Sequence, residues 1–296
     1  MKEKPFSKYQ ILANAVMIIW TLAIILPFIL LFMSSITDEN TLVANGYSFF
    51  PKKFSLASYS YIIKSGGQIL KAYGVSIGVT VVGTLLNVLL SALMAYPLSV
   101  KNLPGRNVMM FFVFFTMLLN GGIVPSYIMW TGTFHIKDTI FAQLLPNFLL
   151  SAWNVMMIRT YFTTSIPDGL YEAAEIDGAS QFTIFWKIVL PLGKPILVTM
   201  GTFAGLAYWN DWTNGLYYIV KNTGLYNVQN LLNQMVQNIQ FLTQSSNSNV
   251  TAAASTIPAT GIQMAIAFVA ILPIMLIFPS FQKYYAKGIA LGAVKG

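Results

Sequence analysis

The sequence predicts an all-α polytopic membrane protein with six transmembrane helices and both termini on the cytoplasmic side. Three observations predict it. Hydrophobic residues make up 56% of the chain and charged residues 9%, whereas a soluble chain carries about a quarter charged residues. Six apolar runs long enough to enter or cross a bilayer alternate with polar connections along the 296 residues. When those connections are assigned alternately inside and outside, Lys2, Lys4, Lys8, Lys101, Arg106, Arg159, Lys187, Lys194, Lys283, Lys287 and Lys295 fall inside. Lys52, Lys53, Lys64, Lys71, Lys137 and Lys221 fall outside, a division of 11 to 6 over all 17 Lys and Arg. The inside connections are also shorter, which concentrates their charge, and the division satisfies the positive-inside rule.

The first run, 12–33, follows a lysine-bearing start. It ends in Met33-Ser34-Ser35-Ile36 with no small-x-small cleavage site, so it reads as a retained span rather than a signal peptide. Pro27 does not forbid a membrane helix, because neighbouring helices can satisfy the carbonyl it frees. Residues 37–71 read as an outer loop with a short surface helix near 56–64. The second span, 73–98, is rich in small residues, among them Gly74, Ser76, Gly78, Gly83 and Ser91. Such residues let helices approach closely, which places this span inside the bundle.

The third span, 108–129, contains Asn120-Gly121-Gly122 and Pro125, a pattern for a broken helix that either lines a cavity or serves packing alone. The fourth covers 141–158 and includes Pro146, Asn147 and Asn154. The fifth covers 196–212 and ends in Trp209-Asn210-Asp211-Trp212. The sixth covers 262–281 with Pro273 and Pro279 in its later half. Between the fifth and sixth lies 213–261, the longest connection. It is rich in Tyr, Asn and Gln, with a surface helix expected over 225–241, an exposed turn at 245–250 and a helical piece from Ala252.

The inner connection 159–194 looks built for a purpose. Ile166-Pro167-Asp168 reads as a helix start, since proline suits the first turn and an acid faces the positive helix end. Leu170 to Ile176 then supplies about two helical turns. Asp177-Gly178 is a turn in which Gly178 can take a positive φ. A second short helix is expected over 180–190, with Phe182, Phe185, Trp186 and Val189 on one face and Pro191 as its stop. From the residues alone, this segment is either a structural hairpin at the membrane surface or a docking element.

Glu172-Ala173-Ala174, Asp177-Gly178-Ala179, Ile188 and Leu190-Pro191 resemble the E-A-A…G…I-x-L-P loop of ATP-binding-cassette importer permeases. The match is specific because several spaced positions agree within the right topology. The Asn-x-x-x-x-Arg-x-Tyr-Phe run at 154–162 extends the likeness to maltose-type carbohydrate permeases. The chain is similar throughout its length to those handling complex oligosaccharides such as alginate, pectin or aldouronate fragments. The resemblance implies the type I importer permease fold in a single domain over 1–296. It also implies a homologous second permease subunit, two ATPases and an external solute-binding protein. Within the fold, 159–194 would be the loop that docks in the ATPase, with Glu172, Ala173, Ala174, Asp177, Gly178, Ala179, Leu190 and Pro191 at the contact. The loop 213–261 would reach the binding protein.

Asn120, Asn154, Trp209, Asn210 and Asp211 are the candidates for the pathway, because polar groups within membrane segments are costly and aromatic and amide groups suit sugars. Each also has a plainer reading: Asp211 as an interface anchor, the amides as helix-joining groups. No G-x-x-x-x-G-K-S/T sequence occurs, so ATP and its Mg belong to partner subunits and no enzymatic role is expected of this chain. No cysteine is present, and the single histidine, His135, has no zinc-ligand set around it, so no bound metal or cofactor is expected. The basic residues gather on no single face, which argues against nucleic acid. A secondary sugar transporter, the competing class, would need coupling-ion residues near the midplane and an internal repeat, and neither is evident.

Overall fold

The structure, a computed structural model, describes residues 8–64, 66–244 and 259–293. The expected exposed turn at 245–250, the helical piece from Ala252, and Lys2, Lys4 and Lys295 lie outside the described residues. The described residues are helical apart from loops and an isolated antiparallel bridge between Thr37 and Phe54. Three helices are long and apolar enough to cross a membrane: Lys8–Ser35, Gly66–Ser99, and the Thr260–Ile277 part of Ala259–Ala293. Two bent pairs, Arg106–Leu118 with Ile123–Thr133 and Gln181–Leu192 with Lys194–Asn210, bring the number to five if each pair is one crossing. The chain divides into two compact units.

The first unit combines residues up to Ile69 with 232–273. Its first helix, Lys8–Ser35, runs through Pro27 as expected, and its large apolar side chains stand exposed along most of its length. That is the pattern of a helix whose solvent is hydrocarbon. Its end is tied down by Ser35, whose hydroxyl lies 2.8 Å from the Tyr59 hydroxyl, and Phe32 packs on Phe268 with ring centroids 4.9 Å apart. Ala57–Lys64 is the expected short helix, but it is not merely superficial: Ile62 is buried against Ile262, Ala265 and Ile266. Glu39, in a further short helix Glu39–Asn45, accepts the Thr260 and Gly261 amides, each at 2.8 Å. Gly261 permits this approach, since a Cβ there would sit 2.5 Å from the Ser58 hydroxyl oxygen.

The second unit, 70–231 with 274–296, contains most of Gly66–Ser99. That helix has 34 residues, about 51 Å at 1.5 Å per residue, so it extends well beyond the expected 73–98. Its small residues do allow close packing. A Cβ on Gly83 would collide with the ring of Tyr208, which comes from the helix Lys194–Asn210.

The third run departs from a continuous span. Arg106–Leu118 stops short, and Ile123–Thr133 leaves it at 110°. Gly122 adopts φ +84° and gives its amide to the Asn120 side chain at 2.9 Å, so the break falls at the Asn-Gly-Gly sequence. The fourth run departs further. Only Phe141–Leu144 and Ala152–Ser165 are helical, with 145–151 irregular. Buried backbone without helical bonds needs other partners, and side chains distant in sequence supply them. Tyr208 donates to the Leu144 carbonyl at 2.9 Å, Asn214 to Pro146 at 3.1 Å, and Asn87 to Phe148 at 2.6 Å.

Two expectations about 180–192 are corrected. Pro191 does not stop the helix. Gln181–Ile184 passes through a wide π turn, Phe185–Val189, into Leu190–Leu192, and the chain turns sharply only at Gly193. In the wide turn Leu190 donates to Phe185 five residues back, which relaxes the crowding a proline ring meets in a regular helix. Nor do the four apolar residues share one face. Phe185 and Val189 are buried at 2% and 0%, whereas Phe182 and Trp186 are 68% and 43% exposed.

Candidate functional site

The segment 159–194 is built on a firm base. Ile184, Phe185 and Val189 enter a buried cluster with Ala92, Ala95 and Leu98 from Gly66–Ser99 and with Ile158 and Phe162 from Ala152–Ser165. On that base stands the helix Asp168–Ile176, begun at Pro167 with φ −64°. Ala174 is its buried residue, and Ala179 packs on the same cluster. Glu172, Ala173, Asp177 and Gly178 are exposed, as are Leu170 and Ile176. Leu190 is half-buried and Pro191 exposed.

The helix ends in a Schellman arrangement. Gly178 has φ +77° and donates to Glu175 at 3.0 Å, while Ala179 donates to Ala174 at 2.9 Å. Ser180 then caps the next helix by accepting the Thr183 amide at 3.3 Å. Gly178 therefore has the conformation the sequence predicts for it. A Cβ there would meet nothing within 4 Å, so the space over the turn is open.

Three contributors escape a motif-based reading. Gln181 joins the two short helices to the long one: its amide donates to Glu175 at 2.8 Å and its oxygen accepts from Tyr96 at 2.5 Å. Gly193 makes the entry to Lys194–Asn210 possible, because a Cβ there would lie 2.5 Å from the Phe162 ring and 2.9 Å from the Val189 carbonyl oxygen. Lys101 meets Asp168 at 2.5 Å, but both are more than half exposed, and such a pair contributes little.

The candidates for the pathway differ in burial and in partners. Asn120 is exposed and holds its own turn. Asn154 is buried and donates to Asn87 at 2.7 Å. Trp209 is buried beside Tyr73, with ring centroids 6.4 Å apart, and Asn210 is exposed. Asp211 is buried and turned inward. One of its oxygens accepts the Thr213 hydroxyl at 2.7 Å and the amides of Thr213 and Asn214 at 3.0 and 3.3 Å, which starts the helix Thr213–Tyr218.

Around Asp211 the chain gathers amides that carry no recognisable motif. Asn227 donates to the Asp211 carbonyl at 2.6 Å and to Gln143 at 3.0 Å, and Gln143 donates to Leu225 at 3.0 Å. Nearby, Asp138 accepts three consecutive amides from Val220, Lys221 and Asn222, at 2.7, 2.7 and 3.2 Å. A separate cavity of about 550 Å³ is lined by Lys71, Gly74, Gly78, Val79, Ile140 and Leu144 among others, and by none of the pathway candidates.

The family profile described as "Binding-protein-dependent transport system inner membrane component" matches residues 74–291. The chain belongs to that family. It is thus a multi-pass permease of the inner membrane and a translocation component rather than an enzyme. The permease is 36% identical over 272 residues to Protein LplC of Bacillus subtilis (strain 168), covering 92% of this chain and 90% of that one. It is 35% identical over 288 residues to the polygalacturonan/rhamnogalacturonan transport system permease protein YtcP of the same organism, covering 97% and 98%. Among solved structures it is similar to a chain in the crystal structure of a bacterial ABC transporter involved in the import of the acidic polysaccharide alginate. That likeness has a TM-score of 0.79 at 25% identity and covers 96% of this permease and all of the other chain.

Proposed function

We propose that the permease is one subunit of an ATP-driven importer and forms half of the pathway for an oligosaccharide, of the acidic kind derived from pectin or alginate. The observation that carries this reading is the end-to-end likeness to a pectin-type permease, 97% of this chain against 98% of the relative, together with the alginate importer fold. The partners in this reading are a homologous second permease, two ATPases that use ATP and Mg, and a solute-binding protein outside. The chain crosses the membrane six times with both ends cytoplasmic. Its fourth crossing is the interrupted stretch 141–165, whose irregular carbonyls are satisfied by Tyr208, Asn214 and Asn87. The loop 159–194 then faces the ATPase, and 213–261 faces the binding protein.

Energy transfer needs an element that the partner contacts differently in two states. Asp168–Ile176 suits that role. Its outer face is exposed, and its inner side is fastened through Ala174, Ala179 and Gln181 to the cluster shared by Gly66–Ser99, Ala152–Ser165 and Lys194–Asn210. Gly178→Trp and Glu172→Lys test the role. Both positions are exposed, and position 178 has open space within the chain, but its φ of +77° strains any side chain by about 1–2 kcal/mol, so Gly178→Ala is the control that carries the backbone strain without the bulk. The variants should therefore insert normally, yet weaken ATPase assembly or separate ATP hydrolysis from sugar uptake in vesicles holding the full complex. Normal assembly, stimulation and uptake in both would return the loop to a structural hairpin. For the cargo, the cognate binding protein should bind oligogalacturonate or oligoalginate; tight binding confined to a peptide or an amino acid would refute the substrate class.

A further inference from the structure

Phe182 and Trp186 are left over from the coupling arrangement. They lie one helical turn apart, with ring centroids 5.9 Å apart in an edge-to-face contact. They are 68% and 43% exposed, while Ile184 and Phe185 between them are 0% and 2% exposed. Phe182 and Trp186 form an exposed ridge beside the buried face of Ile184, Phe185 and Val189. Thr183 and Lys187 lie farther round, and Lys187 is exposed. This helix thus has three sectors: one packed on protein, one polar, and one of exposed aromatics.

We propose that Phe182 and Trp186 are an interfacial anchor, seated in the headgroup layer of the cytoplasmic leaflet. The proposal rests on the cytoplasmic placement of 159–194 given above. The occupant follows from where the helix lies. Gln181–Leu192 meets Lys194–Asn210 at 78°, with only Gly193 between them. When Lys194–Asn210 stands across the bilayer, its predecessor lies near the membrane plane at the level where the hydrocarbon begins. A helix in that position directs one flank along the surface into lipid. Tryptophan favours this layer, where its apolar body and its polar N–H both find partners, and phenylalanine is common beside it on the buried face of helices that lie in the interface. Lys187 and Lys194, both exposed, supply the positive charge that an anionic leaflet attracts.

The anchor gives the coupling loop a fulcrum. Its first helix is free on the outer side, its second is held by protein on one flank and by lipid on the other, and the turn at Gly178 joins them. A push on Asp168–Ile176 is then resisted at the membrane surface and passes into the helix that begins at Lys194.

The test uses the cysteine-free sequence and the complete complex. Single variants F182C, W186C, T183C and E175C carry a bimane label in nanodiscs of phosphatidylethanolamine and phosphatidylglycerol, with or without lipids bearing a nitroxide near the headgroup. The nitroxide should extinguish emission at 182 and 186 and leave 183 and 175 largely unaffected. Equal emission with and without nitroxide at both aromatic positions overturns the anchor, and the second permease or the ATPase then covers that ridge. Lys187→Glu should diminish quenching in membranes containing phosphatidylglycerol; an unchanged response removes the electrostatic part. Protection of E175C from a soluble reagent when the ATPase binds reports on coupling separately. Quenching without protection leaves the anchor standing and removes the docking role, and protection without quenching does the reverse.

Discussion

Asn154 gives its side-chain amide to Asn87 at 2.7 Å, and Asn87 passes its own amide to the carbonyl of Phe148 at 2.6 Å. One pair thereby joins the helices Gly66–Ser99 and Ala152–Ser165 and closes the irregular stretch before the latter. Asn154→Ala leaves the Asn87 oxygen without this donor and should cost about 1 kcal/mol, the scale of interhelical bonds in membranes. The expected result is a lower melting temperature in detergent with an unchanged KM for uptake. A raised KM with unaltered melting would restore Asn154 to the pathway.

Gly193 stands where two helices meet at 78°. Gly193→Ala brings a methyl group against the Phe162 ring and the Val189 carbonyl. Overpacking of this kind costs about 1–3 kcal/mol. Phe162→Leu removes the ring contact but not the carbonyl contact, so the double variant should be less destabilised than the sum of the two singles. Simple additivity in a thermal melt would show that the ring is not what confines this position.

Glu39 is a cap supplied from far away in sequence. Its two oxygens take two of the free amides in the first turn of the helix Ala259–Ala293, where a carboxylate also meets the positive helix end. Glu39→Gln replaces one acceptor with a donor facing an amide and should cost about 1–2 kcal/mol. Exchange of the Thr260 and Gly261 amides should accelerate, and unaltered protection there would dismiss the cap.

Asp138 makes the loop around 219–222 dependent on pH only in acid. The Lys221 amide, followed by those of Val220 and Asn222, holds its carboxyl below the ordinary carboxylate range. A depressed acid stabilises fully above its unfolded value, about pH 4, and that contribution is lost as pH falls through the folded value. After correction for intrinsic rates, protection of the amides of Val220, Lys221 and Asn222 should be level from neutral to about pH 5 and decline below that. Asp138→Ala should lose it across the range; retained protection in the variant would mean that another group holds these amides.

What the sequence determined by itself is local. The break at Asn120-Gly121-Gly122 and the left-handed turn at Gly178 follow from short-range chemistry, an amide that captures a nearby N–H and a residue without a Cβ. The apolar runs likewise marked the three helices that are long and apolar enough to cross a membrane, because backbone in hydrocarbon must satisfy itself. Tertiary structure decided what depends on distant partners. Periodicity does not reveal that 145–151 is irregular, since the partners of its carbonyls are distant: Asn214 on Pro146 and Asn87 on Phe148, with Tyr208 on Leu144 just before. Nor does it separate Phe185 in the core from Phe182 on the surface, because lipid and protein interior ask for the same apolar side chains. Asp211 shows the same limit. Its capture of the Thr213 and Asn214 amides is a short-range cap, but its burial and the Asn227 amide that reaches its carbonyl are fixed only when the chain folds.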